Sequence, residues 1–187
     1  MNKTNIGLIE YCRKQLGKPY WYGTFGQKAS RWLYDYNKSR LPSYYKASNF
    51  QQQIAEGQKV HDCIGLIKGY MWCSSPDDER PVYKSNGFPD ISSDGQYSRS
   101  TKKGANISTL PEVPGILVFM TGHVGVYIGK GKVIEARGHD FGVVETNLKD
   151  RPWKCWAYID EIEYITENPK PQEEKPGIIT SVSCNYK

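Results

Sequence analysis

The chain is short of long apolar runs. None of its 187 residues lies in a stretch approaching the roughly 18 apolar residues that a membrane helix requires, so no membrane insertion is expected. The N-terminal MNKTNIGLIEYCRKQLG lacks the apolar centre of a secretory signal. The expectation is a chain made in the cytoplasm without an export signal of its own, or a domain cut from something longer. Cysteine is sparse and badly spaced for cross-linking. Cys12, Cys63, Cys73, Cys155 and Cys184 are odd in number and no pair has C-x-x-C spacing, which argues against a disulfide framework. His61 and Cys63 alternate closely, but two residues do not make the four ligands of a structural zinc. No metal and no cofactor are expected. Basic residues are scattered, with neither a stripe nor an RNA-binding motif, so nucleic acid is not an expected partner.

What is present suits one soluble domain with a real core: 38% hydrophobic and 24% charged residues in an ordinary single-domain length. A monomer is expected. Aromatics reach 13%, including 14 tyrosines, enough to line a cleft as well as a core. The net charge of +5 permits attraction to an anionic polymer.

Residues 4–16, TNIGLIEYCRKQL, read as an amphipathic helix capped by Thr4, with Ile6, Leu8, Ile9, Cys12 and Leu16 as its apolar stripe. GKPYWYG ends it. Residues 24–60 are polar and aromatic and read as one or two short helices. Residues 74–110 are rich in Ser, Asp, Gly, Asn and Pro and read as a long surface excursion with little regular structure. The pattern then changes. GILVFM, HVGVYIG, KVIEARG and FGVVET are β-branched and aromatic runs punctuated by glycine, and WAYIDEIEYI reads as a last strand. Helices followed by antiparallel strands predict an α+β fold. The domain is expected to span residues 1–166, followed by a proline-rich charged linker at 167–177 and a tail, or the start of a truncated second domain, at 178–187.

The stretch HDCIGLIKGYMW, residues 61–72, suits either a reactive cysteine or a buried structural one, and taken alone it leaves both open. Asp62 is a good N-cap, and Ile64, Ile67 and Met71, flanked by Leu66 and Tyr70, recur at helical spacing. Cys63 then falls in the first turn, where free amides and the positive end of the helix dipole favour thiolate. Such a nucleophile needs a histidine, itself oriented by a third polar group. His61 precedes the helix and is expected to point away from Cys63. His123 opens the strand HVGVYIG and can present its ring at a sheet edge. A two-residue turn at Lys130–Gly131 pairs 129 with 132 and puts His123 and Glu135 on opposite faces. A three-residue loop with Gly131 left-handed pairs 128 with 132, sets 135 against 125, and puts the two on one face. The second geometry is preferred, because apolar runs on both sides of Glu135 make a partnerless carboxylate costly. His139 shares the parity but lies past Gly138, and the choice between Glu135 and His139 as the third residue stays open.

Four segments, in order, resemble the NlpC family of cell-wall cysteine peptidases. PYWYG at 19–23 resembles the family's proline–tyrosine–x–aromatic–glycine segment. DCIGL at 62–66 resembles its nucleophile helix start, PGILVF at 114–119 the strand before the histidine, and GHVGVYIGKGKVIEA at 122–136 the histidine hairpin. The similarity spans about residues 5–165. It implies a papain-like domain with N-terminal helices, the nucleophile at a helix N-terminus, packed on an antiparallel sheet. It implies Cys63 as nucleophile, His123 as general base, Glu135 in the third polar place, and Tyr20 with Asp62 at the oxyanion and substrate side. It further implies hydrolysis of peptidoglycan, at the bond from D-glutamate to the diamino acid of the stem; the bare domain without a signal, followed by a linker, suits a phage-lysin-like or mobile-element member acting at the wall. The alternatives are a muramoyl–alanine amidase or acyltransferase on the same scaffold, or a wall-binding module without activity. Ile64 and Ile116 stand where the family has serine and aspartate, and the stretches 24–60 and 74–110 are longer than in a minimal member.

Overall fold

The first helix, α1 (Asn5–Lys14), forms where its cap and stripe predict. Thr4 Oγ1 accepts the Gly7 amide at 3.0 Å, and Leu8, Ile9 and Cys12 are buried. Leu16 falls past the helix end and is exposed, and Tyr11 takes the remaining inward place. The computed structural model describes residues 2–74 and 80–165; the expected linker, the tail and Cys184 lie outside the described residues.

Residues 24–60 hold the expected helices, α2 (Arg31–Arg40) and α3 (Phe50–Ala55), and also an antiparallel pair, β1 (Phe25–Lys28) with β2 (Lys59–His61). These strands are too short for an alternating pattern to announce them. Trp21, Leu33, Tyr34, Tyr45, Phe50 and Val60 form a satellite core under this segment. Next comes α4 (Cys63–Trp72), every residue of which is buried. It is a central helix rather than an amphipathic surface one.

The stretch 74–110 departs from the expected irregular excursion. Its described part carries α5 (Ser93–Arg99), capped by Ser92 on the Gly95 amide at 3.0 Å, and a short strand β3 (Lys103–Gly104). Phe88 and Gln96 are buried and Tyr97 meets Phe119 edge-on at 5.4 Å, so a polar composition conceals packing contacts made one residue at a time.

The remaining strands are β4 (Leu117–Met120), β5 (His123–Gly129), β6 (Lys132–Ala136), β7 (Val143–Asn147) and β8 (Cys155–Ala157). They form one sheet in the order β3-β8-β4-β5-β6-β7, antiparallel throughout. The last strand ends at Ala157, and the chain then returns to α1, where Glu163 O accepts the Asn5 amide at 3.1 Å. One face of the sheet, through Leu117, Phe119, Val124, Val126, Ile134 and Ala136, packs in the main core with α1 and α4. The other carries Val118, Tyr127 and Val133 beneath Trp153 and Trp156. The fold is α+β with antiparallel sheets, as the run of helices before strands predicts. No helix among the described residues is long and apolar enough to cross a membrane.

Candidate active site

Asp62 ties two segments together at the head of α4. Its Oδ1 accepts the Gly65 amide at 2.6 Å, its Oδ2 accepts the Gly23 amide at 2.8 Å, and its own amide donates to Thr24 O at 2.9 Å. The PYWYG segment is thereby laid against the helix start. Gly65 permits this approach, since a Cβ there would stand 1.8 Å from Thr24 O.

Cys63 follows the cap, nearly buried, with Sγ 4.0 Å from Gly122 O and within reach of the Val124 amide. The sulfur therefore lies against the backbone on both sides of His123. Its protonation runs against the sequence expectation. Burial, joined by the adjacent Asp62 carboxylate, pushes the thiol up to about 12, and the amides of Ile64, Val124 and Cys63 only partly offset this. The helix terminus supplies its donors as expected, but desolvation outweighs them, and the resting group is a thiol.

His123 Nε2 meets Glu135 Oε2 at 2.7 Å. That bond occupies Nε2 and leaves Nδ1 as the ring nitrogen that can serve the thiol. The two side chains share a face, although the turn is not the expected one. Gly129 pairs with Lys132 around a two-residue turn, Lys130 (φ 52°) and Gly131 (φ 69°), both left-handed. A bulge at Ile128 then inserts one extra residue, so Tyr127 faces Val133 and Val126 faces Ile134. Continuing the register sets Gly125 against Glu135. The expected pairing is reached through a bulge instead of a longer loop.

Glu135 is fully buried and accepts four bonds: from His123, from Thr146 Oγ1 at 2.8 Å, and from Arg151 Nε and Nη2, each at 3.0 Å. Burial alone would raise its carboxyl, but the bonds from His123, Arg151 and Thr146 outweigh it and hold the group below its ordinary range. Trp153 stacks on the His123 ring at 5.7 Å and 15°. Sequence reasoning misses Arg151, Thr146 and Trp153. A buried strand carboxylate calls for a cation, but nothing in RPW singles out Arg151 among the 25 basic residues.

The other histidines go elsewhere. His61 is buried, with Nε2 at 2.9 Å from the Tyr11 hydroxyl, and burial together with Lys59 lowers it to about 3, so it is neutral. His139 Nε2 meets Asn49 Oδ1 at 2.6 Å and its ring lies 4.8 Å from that of Phe50. Geometry thus pairs His123 with Glu135, not with His139. Tyr20 bridges to His61, half-buried, near enough to Cys63 and Asp62 that burial first and those two groups next push its phenol up and keep it protonated. Among the described residues no group of three or more His, Cys, Asp or Glu side chains converges as a metal site.

The family model for the NlpC/P60 family matches residues 17–160. No curated protein matches the chain. Among solved structures, the P60 domain of an antigen from M. avium subspecies paratuberculosis is 18% identical, covering 86% of this chain and 96% of that one at a TM-score of 0.50. The peptidoglycan hydrolase RipB from Mycobacterium tuberculosis is 20% identical, with 86% and 65% covered and a TM-score of 0.49. NlpC2 from Trichomonas vaginalis is 16% identical over 85% of this chain at a TM-score of 0.48, and this chain spans about half of it, 49%. At 18% identity the P60 domain speaks to fold alone. Matched by the family model over most of its length, the chain belongs to the NlpC/P60 family.

Proposed function

We propose that the chain is a cysteine peptidase that hydrolyses an amide bond in the peptide stem of peptidoglycan, at the bond from D-glutamate to the diamino acid. One observation carries the reading: the Cys63 sulfur rests against the backbone flanking His123, whose far nitrogen is held by a buried, ionised Glu135. Membership of the NlpC/P60 family supports a wall substrate, and RipB, a structural neighbour, is a peptidoglycan hydrolase.

In this reading the thiol is activated at the moment of attack. His123 Nδ1 takes the proton while Sγ bonds to the amide carbonyl carbon. The negative charge moves onto the carbonyl oxygen, within reach of the Cys63 amide and the protonated Tyr20 hydroxyl. Glu135 orients the ring and stabilises the imidazolium, and Arg151 keeps Glu135 charged and fixed. The imidazolium then protonates the leaving amine as the C–N bond breaks. Water, deprotonated by the same ring, releases the acyl group from sulfur. Residues 1–166 are the catalytic unit, acting as a monomer at the wall after phage-type release or as part of a larger exported chain.

The test is mass spectrometry of fragments released from purified peptidoglycan by wild type and by Cys63→Ala. A new N-terminal diamino acid, absent with the variant, is the expected result. Free muramoyl lactyl groups instead would make the enzyme an amidase with the same residues. No product on walls of several chemotypes would leave a binding module.

A further inference from the structure

Three of the five exposed aromatics among the described residues, Trp32, Tyr36 and Tyr83, line a single cavity. It has a volume of about 440 Å³ and lies between α2 and the head of α4. Gly23 and Asp62 also border it, so it adjoins the residues that flank the nucleophile. Trp32 is 71% exposed and Tyr36 44%, and their rings stack at 5.3 Å and 9° on successive turns of α2. An exposed tryptophan built into a stack beside a cleft has a surface purpose that core packing does not supply.

The charges on the walls are already used. Lys68 is ion-paired with Asp90, which also accepts from the Tyr83 hydroxyl. Each oxygen of Asp62 already accepts a glycine amide. Arg40 lies over the Tyr36 ring at 5.0 Å and donates to its hydroxyl. Two cations and two carboxylates balance, so an ionic ligand gains little. Arg40 and Lys84 lie over the Tyr36 and Tyr83 rings, so the negative face offered to weakly positive C–H groups is that of Trp32, backed by Tyr36 and rimmed by fixed donors and acceptors. A pyranose ring has that character, with apolar C–H faces and a polar equator.

We infer that this cavity is a saccharide subsite that seats an N-acetylated amino sugar of the glycan strand bearing the stem. The inference rests on the wall-hydrolase reading. It adds that the enzyme recognises its stem while still attached to glycan, through the segment 24–60.

Two measurements test it, one independent of cleavage. Tetra-N-acetylchitotetraose titrated into Cys63→Ala should quench tryptophan fluorescence saturably. Adding Trp32→Ala should weaken binding roughly three- to tenfold, and Trp32→Phe should retain most of it. Phe141→Ala, which removes an exposed aromatic outside the cavity, should change nothing. In cleavage, wild type should prefer a disaccharide-linked stem over the free peptide, and Trp32→Ala or Tyr36→Ala should narrow that ratio by a similar factor. Absence of saturable binding to Cys63→Ala overturns the inference, and so does a preference ratio unmoved by either aromatic variant. A wild type that binds the sugar but cleaves neither substrate would instead sink the hydrolase reading and leave the subsite standing.

Discussion

At the residue scale the thiol and the buried carboxylate make separate predictions. Because burial pushes Cys63 up to about 12, its carboxamidomethylation, followed by peptide mapping, should climb about tenfold per pH unit from pH 7 to 9. A plateau already reached by pH 6.5 would mean a preformed thiolate and would refute activation during attack. Glu135→Ala should lower kcat about a hundredfold or more, whereas His139→Ala, whose ring bonds Asn49, should leave it unchanged in the same assay. Arg151→Gln strands a buried carboxylate and should cost about 3 kcal/mol in urea unfolding at pH 7. The sign with pH follows from the carboxyl. In wild type its lowered value contributes stability above the ordinary carboxylate range, and this is lost as pH falls through the folded value. In the variant the stranded group gains a proton more readily, so the gap between the two proteins should narrow toward pH 4. A gap independent of pH would show that Arg151 acts by packing alone.

At the element scale the β5–β6 hairpin and the head of α4 are the parts to perturb. Lys130 sits left-handed in a two-residue turn that asparagine–glycine favours, so Lys130→Asn should raise Tm by about 2–4 °C in a thermal scan. Gly65→Ala should lose about 3 kcal/mol or more, since its methyl would enter the Thr24 carbonyl. The sequence shows why Asp62, Cys63, His123 and Glu135 belong together, because caps, strand starts and parity are local patterns. The Ile128 bulge was not legible: a longer loop and a short turn with a bulge give the same pairing of 125 with 135. Arg151 and Trp153 were hidden for another reason. Thr146 lies on β7, two positions past Val144, the cross-strand partner of Glu135, and so shares its face, but Arg151 and Trp153 follow in the connection after β7, where no spacing rule ties them to Glu135. Leu16 leaves the expected stripe because α1 ends two residues early, at Lys14, and α5 is masked by a composition that suits loops.

At the scale of the whole molecule, the +5 charge is spread rather than concentrated, so it should govern encounter more than specificity. Association with anionic walls, measured by co-sedimentation of Cys63→Ala, should weaken steadily between 0.05 and 0.5 M NaCl, roughly as the screening length contracts. Cleavage of a soluble stem peptide should vary far less over that range. The order of helices before strands made the α+β class readable, while the satellite core of segment 24–60 rests on aromatic contacts that no periodicity reveals. The knot at Asp62 has a further meaning for the chain's life. Two of its three bonds join residues 23–24 to the head of α4 and the third caps the helix, so the cap, the nucleophile and the Tyr20 segment are held by one residue. A newly made or partly unravelled chain therefore holds the separate residues of the proposed site without holding the site, and whatever chemistry that site performs begins only when the fold is complete.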